Sequence, residues 1–298
     1  MTTRSLPYTH TGDPPTGLPA ESAVESRAGK ENFPVASRLL PRDTRAALMK
    51  LYRYARFVDE IGDSYAGDRL AALEWVDSEL RRALSGAADV HPLVAGAAGL
   101  ARSERIAADP LFDLVQANRQ DQTIHRYSTF DELLGYCEMS ANPVGRLVLQ
   151  LFGVLTPERA RFSDYICTGL QLVEHWQDVA EDARVGRVYL PVEDLRQFGV
   201  QVSELSLGGP GSPALRSAME FEAKRARELL DRGAPLIGSL KGRLRFAVAG
   251  FWAGGHAALD GLQARGFALN AESRPAPRRM AWHMASALAG ANRIGRSV

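Results

Sequence analysis

Cysteine is nearly absent. The chain has two in 298 residues, Cys137 and Cys167, too few for a disulfide scaffold. Both fall in helical patterns and read as small core residues, so a reduced, cytoplasmic protein is the expectation. No apolar run reaches the roughly eighteen residues of a membrane span, and the N-terminus lacks the charged-then-apolar pattern of a signal peptide. An excess of one charge is missing too. The net charge is +1, which leaves no electrostatic footprint for nucleic acid. No stretch alternates apolar and polar residues as a half-buried strand does, so the fold class is all-α. No Glu-x-x-His pair occurs anywhere, which counts against a di-iron bundle. Gly208, Gly209 and Gly211 sit among Pro210 and Pro213. With no strand before them and prolines between, they form a surface loop rather than a phosphate cradle.

What is present is a set of helical patterns. At 298 residues, 45% hydrophobic and 24% charged, the chain is near the upper limit for one hydrophobic core. Residues 1–28 carry Pro7, Pro14, Pro15 and Pro19 without periodicity and read as a disordered tail. A single domain over residues 29–298 follows, with roughly ten helices around a cavity. Asp68 to Leu84 places Leu70, Leu73, Val76, Leu80 and Leu84 at spacings of three and four. Phe130 to Leu151 reads as a long helix interrupted at Asn142, Pro143 and Gly145, with a kink that turns small polar groups inward. A last basic helix, Arg278 to Arg296, sets Met280, Met284 and Leu288 along one face. It suits either an anionic membrane surface or a cover over the cavity.

The central stretch is Leu170 to Pro191, LQLVEHWQDVAEDARVGRVYLP. Glu174, Asp178 and Asp182 recur every four residues, so on a helix they form one stripe. Leu170, Leu172, Val173, Trp176 and Val179 fill the other faces, and the helix is expected to be buried. A buried row of like charges is costly unless a cation compensates it. For an oxygen-only cluster the usual cation is Mg²⁺, which completes its shell with water and phosphate. An acidic stripe that is simply solvated explains the same pattern equally well. A second stretch breaks that tie. In Leu51 to Asp63, LYRYARFVDEIGD, Asp59 and Asp63 are again four apart, with Arg56 and Tyr52 on the same side. Two such stripes, each on a largely apolar helix, would hold a polyphosphate through bridging metal ions. His175, His256 and His125 read as structural.

The motifs YARFVDEIGD and WQDVAEDARVGRVYLP, with ENFPVASRLLP, resemble the head-to-head trans-prenyltransferases, the squalene and phytoene synthases. The likeness runs from about Lys30 to the end. Within that family YCEMSANPVGRLVLQLFG and the WQDV segment are most similar to the hydroxysqualene-forming branch of the hopanoid pathway. The resemblance implies an isoprenoid synthase fold with a deep apolar cavity and Mg²⁺ held by Asp59 and Asp63 on one side and Asp178 and Asp182 on the other. It implies diphosphate contacts from Arg56 and Arg187 and a cavity lined by Phe33, Tyr52 and Gln171; Asn142, at the expected kink, is placed near the substrate by that kink. Arg274 stands for a late diphosphate-binding arginine. Glu174 occupies a position where the family usually has asparagine, and it is expected to remain a metal ligand. The implied reaction converts presqualene diphosphate to hydroxysqualene with water and without NADPH. The alternatives are a synthase condensing two prenyl diphosphates and an inactive relative acting as a binding protein. The implied neighbours are a presqualene diphosphate synthase upstream and a hydroxysqualene reductase downstream. The implied location is the cytoplasm or the inner face of the membrane.

Overall fold

The computed structural model of the chain describes residues 14–19, 41–269 and 277–294. Most of the expected 1–28 tail, together with Phe33 and Arg274, lies outside them. Among the described residues every regular element is a helix, and β-pairing is limited to two isolated bridges, Arg126 with Val188 and Gly209 with Leu269. The chain divides into two compact units. One runs to Thr123 and adds Gln150–Gly153; the other takes Ile124–Leu149 and everything from Val154.

The first unit holds α1 (Arg42–Ser64), α2 (Arg69–Ser85), α3 (Pro92–Arg102) and α4 (Asp109–Gln120). α1 forms because Ala47, Leu48, Leu51, Tyr54, Phe57, Val58 and Ile61 recur at helical spacing and are buried. α1 packs against α2, α3 and α4, where Leu73, Val76 and Leu80 of α2, Leu93 and Val94 of α3, and Leu111 of α4 are buried as well. Inside this core the Tyr54 hydroxyl donates to the Leu111 carbonyl at 3.0 Å, as a buried phenol requires. α2 starts at Asp68, whose side chain accepts from the Ala71 N–H at 3.0 Å. Its buried face centres on Ala72, Val76 and Ala83. Leu70 lies about a third of a turn away and is exposed, which corrects its expected place in the core.

The second unit holds α5 (Phe130–Ser140), α6 (Asn142–Leu151, its last two residues in the first unit), α7 (Pro157–Arg184), α8 (Val192–Phe198), α9 (Val202–Leu205), α10 (Pro213–Gly233), α11 (Pro235–Ser239), α12 (Gly242–Ala264) and α13 (Pro277–Ile294). Where a kinked helix was expected over Phe130 to Leu151, two helices stand, separated by Ala141 alone. Pro143 then falls in the first turn of α6, where its missing N–H leaves no helical bond unmade. α7 is the longest helix, at 28 residues. Thr156 caps it by accepting from the Arg159 N–H at 3.2 Å, and Pro157 opens it. α10 packs closely along it. A Cβ on Gly233 would lie 2.8 Å from the Phe162 carbonyl oxygen, and one on Gly169 3.2 Å from that of Ala226. The Trp176 indole N–H reaches the Glu222 carbonyl at 3.3 Å, tying the middle of α7 to α10. α13 turns Met280, His283, Met284, Ala287 and Leu288 inward against α11 and α12, and leaves Trp282 65% exposed.

Candidate active site

The first acidic motif lies on the less buried face of α1. Tyr52, Arg56 and Asp59 are half-buried and Asp63 is exposed, while Phe57, Val58 and Ile61 between them are core. Burial pushes the Asp59 carboxyl up to about 6; the Asn118 hydrogen bond opposes this, and the neighbouring Asp63 adds to it. Arg56 also counters the rise at Asp59 and pairs with Glu60, its Nε 3.5 Å from Oε1. Glu60 is itself buried at 7% exposure. From α4, Asn118 Nδ2 donates to Asp59 Oδ1 at 3.2 Å, and from the turn just after α4 Gln122 Nε2 donates to the Gly62 carbonyl at 3.0 Å. Neither Asn118, Gln122 nor Glu60 was singled out in the sequence. The only signal for the first two is their own spacing of four in ANRQDQ, which does not name a partner 59 or 60 residues away.

The second motif lies on α7. Leu172, Val173, Trp176 and Val179 are buried as expected, joined by His175, while Leu170 is half-buried, and the stripe opposite them is not buried. Glu174 and Asp178 are exposed, and Asp182 and Gln171 are half-buried. The expected buried row is therefore largely at the surface, where three carboxylates a turn apart escape the combined cost of desolvation and mutual repulsion.

Asp182 ends this stripe where the chain turns back. Gly186 has φ 89, a left-handed conformation open mainly to glycine. It lets the Arg187 N–H return to the Asp182 carbonyl at 2.9 Å. The following residues run beside 125–128. Val188 N–H donates to the His125 carbonyl at 2.8 Å and Val192 N–H to that of Tyr127 at 3.0 Å. Asp182 and Arg187 thereby line one cleft with His175, Val179, Tyr189 and Leu205. It is small and partly open to solvent. His175 forms part of its wall and is fixed twice. It stacks on Tyr189 with ring centres 3.6 Å apart, and its Nε2 lies 3.2 Å from Gln171 Nε2. Burial, reinforced by the Arg187 charge, pushes its pKa down to about 3, so the ring is neutral.

Asn142 is buried, and its Oδ1 accepts from the Thr168 hydroxyl at 3.0 Å, tying α6 to α7. His256 lies elsewhere in the second unit, held by Arg227 and Asp231, and His125 contributes its carbonyl to the pairing with Val188.

Among the described residues no three His, Cys, Asp or Glu side chains gather into a ready-made metal cage. The donor chemistry nonetheless fits Mg²⁺, which takes one or two carboxylates and fills its shell with water and phosphate oxygens. A carboxyl driven upward by burial and by a second carboxyl, as Asp59 is by Asp63, is one that an added cation relieves.

The sequence profile of the family described as squalene/phytoene synthase matches residues 26–285. A hydroxysqualene synthase of Rhodopseudomonas palustris is 36% identical over 225 residues, covering 74% of this chain and 76% of the relative. A phytoene synthase of Mycobacterium tuberculosis is 30% identical over 221 residues, covering 73% and 72%. Among solved structures, the squalene synthase HpnC of Alicyclobacillus acidocaldarius superposes with a TM-score of 0.76 at 37% identity, covering 83% of this chain and 94% of that one. A dehydrosqualene synthase, at TM-score 0.79 and 22% identity, shares the fold over 92% and 96%. With its helices, its two aspartate motifs and these likenesses on record, the chain belongs to the squalene/phytoene synthase family.

Proposed function

We propose that this enzyme converts presqualene diphosphate to hydroxysqualene. The observation that carries the reading is the cleft in which Asp182 and Arg187 stand together, a cation-holding carboxylate beside a diphosphate-binding guanidinium. The likeness to three hydroxysqualene synthases at 33–36% identity supports the choice of reaction. Asp59 and Asp63, with Glu174, Asp178 and Asp182, would hold Mg²⁺, whose contribution when bound is Lewis-acid stabilisation of the leaving diphosphate. Arg187 and Arg56 balance the charge of the diphosphate as its C–O bond breaks and it leaves with the electron pair. The cyclopropylcarbinyl cation left behind opens its ring. A water oxygen then forms the new C–O bond, and its proton passes to solvent. The apolar cavity that the family resemblance implies would keep other water away from the cation.

The phytoene synthase likeness at 30% identity favours a second reading, condensation of two prenyl diphosphates. One experiment separates them. The protein is incubated with Mg²⁺ and either presqualene or farnesyl diphosphate in ¹⁸O-water, without NADPH, and the products are analysed. Labelled alcohol from presqualene diphosphate is expected. Unlabelled alcohol, squalene formed only when NADPH is added, or turnover of farnesyl diphosphate alone would overturn the first reading.

Substrate and product are lipids, and no described helix is long and apolar enough to cross a membrane. α13 carries Arg278 and Arg279 beside exposed Trp282 and has no acidic residue. This supports peripheral contact with the anionic inner face of a membrane. There a presqualene diphosphate synthase would hand over the substrate and a hydroxysqualene reductase would take the product.

A further inference from the structure

We infer that Asn118, with Gly62 as its cradle, is a positioning residue that sets the orientation of the Asp59 carboxylate. The inference rests on the reading of Asp59 as a cation-holding group. Asn118 sits on α4, and its Nδ2 donates both to Asp59 Oδ1 at 3.2 Å and to the Leu114 carbonyl of its own helix at 3.1 Å. A carboxamide whose two N–H bonds are both engaged has one orientation. Its oxygen is then directed at α1, and the space it enters is the space Gly62 leaves. A Cβ on Gly62 would lie 2.1 Å from Asn118 Oδ1 and 3.0 Å from Cγ. One turn on, Gln122 Nε2 donates to the Gly62 carbonyl and to the Asn118 carbonyl, each at 3.0 Å. Two carboxamides four apart, Asn118 on α4 and Gln122 in the turn that follows it, thus grip two positions three apart on α1.

The consequence is chemical as well as structural. A carboxylate with one oxygen held by a fixed donor presents its remaining lone pairs in a set direction, which favours a cation on that side. Partners of this kind typically carry roughly 10- to 100-fold in metal affinity. Arg56 also acts on Asp59, but its Nε pairs with Glu60. Asn118 is the neutral donor that spans from a second helix.

The test uses full-length protein, inorganic pyrophosphate and Mn²⁺, with bound and free Mn²⁺ read by electron paramagnetic resonance. Asn118→Leu is expected to weaken Mn²⁺ binding by roughly 10- to 100-fold. In turnover it should raise the Mg²⁺ concentration needed while kcat recovers at high Mg²⁺. Gly62→Ala should do the same by displacing Asn118, and should also lower the melting temperature. Combining Gly62→Ala with Asn118→Ala removes the clash, so the melting temperature should return while Mn²⁺ affinity stays low. A folded Asn118→Leu protein that binds Mn²⁺ like the parent overturns the inference. So does a double variant whose Mn²⁺ affinity recovers with its melting temperature. A parent protein that takes up no Mn²⁺ even with pyrophosphate overturns the cation reading of Asp59 itself.

Discussion

Arg225 of α10 donates to Asp194 of α8 at 2.6 Å, and the same nitrogen reaches Glu222 Oε1 at 3.0 Å. Its guanidinium lies between the Phe130 and Phe221 rings, 4.3 Å from each centre. This sets one arginine between two buried carboxyls, Asp194 and Glu222. Burial, with the Asp194 hydrogen bond, pushes the Glu222 carboxyl up to about 9 from an ordinary value of 4.5.

The sign of the pH effect follows. A carboxyl whose pKa is raised on folding favours the folded state in its protonated form. That contribution is complete below about pH 4.5 and is lost as pH rises through about 9. Melting temperature should therefore fall between pH 5 and pH 9, and Glu222→Gln should flatten the slope. Parallel melting curves for parent and variant across that range would show that Glu222 is charged at neutral pH.

Gly186→Ala should strain the turn that brings Arg187 back to Asp182. A non-glycine residue in the left-handed region costs about 1–2 kcal/mol. We expect a melting temperature several degrees lower and a raised KM for the diphosphate substrate, because Arg187 leaves its cleft. An alanine variant with unchanged KM would separate the turn from the binding of diphosphate.

Arg187→Gln removes the guanidinium from the same cleft and should lower kcat/KM by roughly 100-fold. Arg187→Lys should recover part of it, since a point charge replaces a planar fork. Steady-state kinetics on presqualene diphosphate measure both. Equal loss in the two variants would assign the effect to fork geometry and leave none to charge.

Glu174 departs from the asparagine usual in the family, and its place on the exposed stripe of α7 is compatible with metal binding. Glu174→Asn should remain active and Glu174→Ala should need much more Mg²⁺. A Mg²⁺ titration in which both behave like the parent would remove Glu174 from the ligand set.

What could be read from the chain depended on whether the information is local. The acidic stripe of α7 was legible because Glu174, Asp178 and Asp182 share one helix, and their period of four states their common face. Tyr52, Arg56, Asp59 and Asp63 were legible for the same reason. The exposure of the α7 stripe was not, because apolar neighbours at Leu172, Val173 and Trp176 describe the opposite face only. The Asn118–Asp59 bond was out of reach, since α4 and α1 are brought together by packing. The break at Ala141 was half legible. Pro143 announces an interruption, but whether one bent helix or two separate ones result depends on packing such as the Asn142–Thr168 bond to α7, which the local sequence does not state.

The open stripe on α7 has a bearing on how the protein is handled by the cell. Carboxylates at the surface, as exposed Glu174 and Asp178 are, gain little folding energy from a cation, so that helix does not wait on ion supply to form. A chelator should silence catalysis and lower the melting temperature only by the modest linkage term of an ion bound to the folded state. Magnesium scarcity would then leave idle but intact enzyme, restored by the ion alone with no new synthesis.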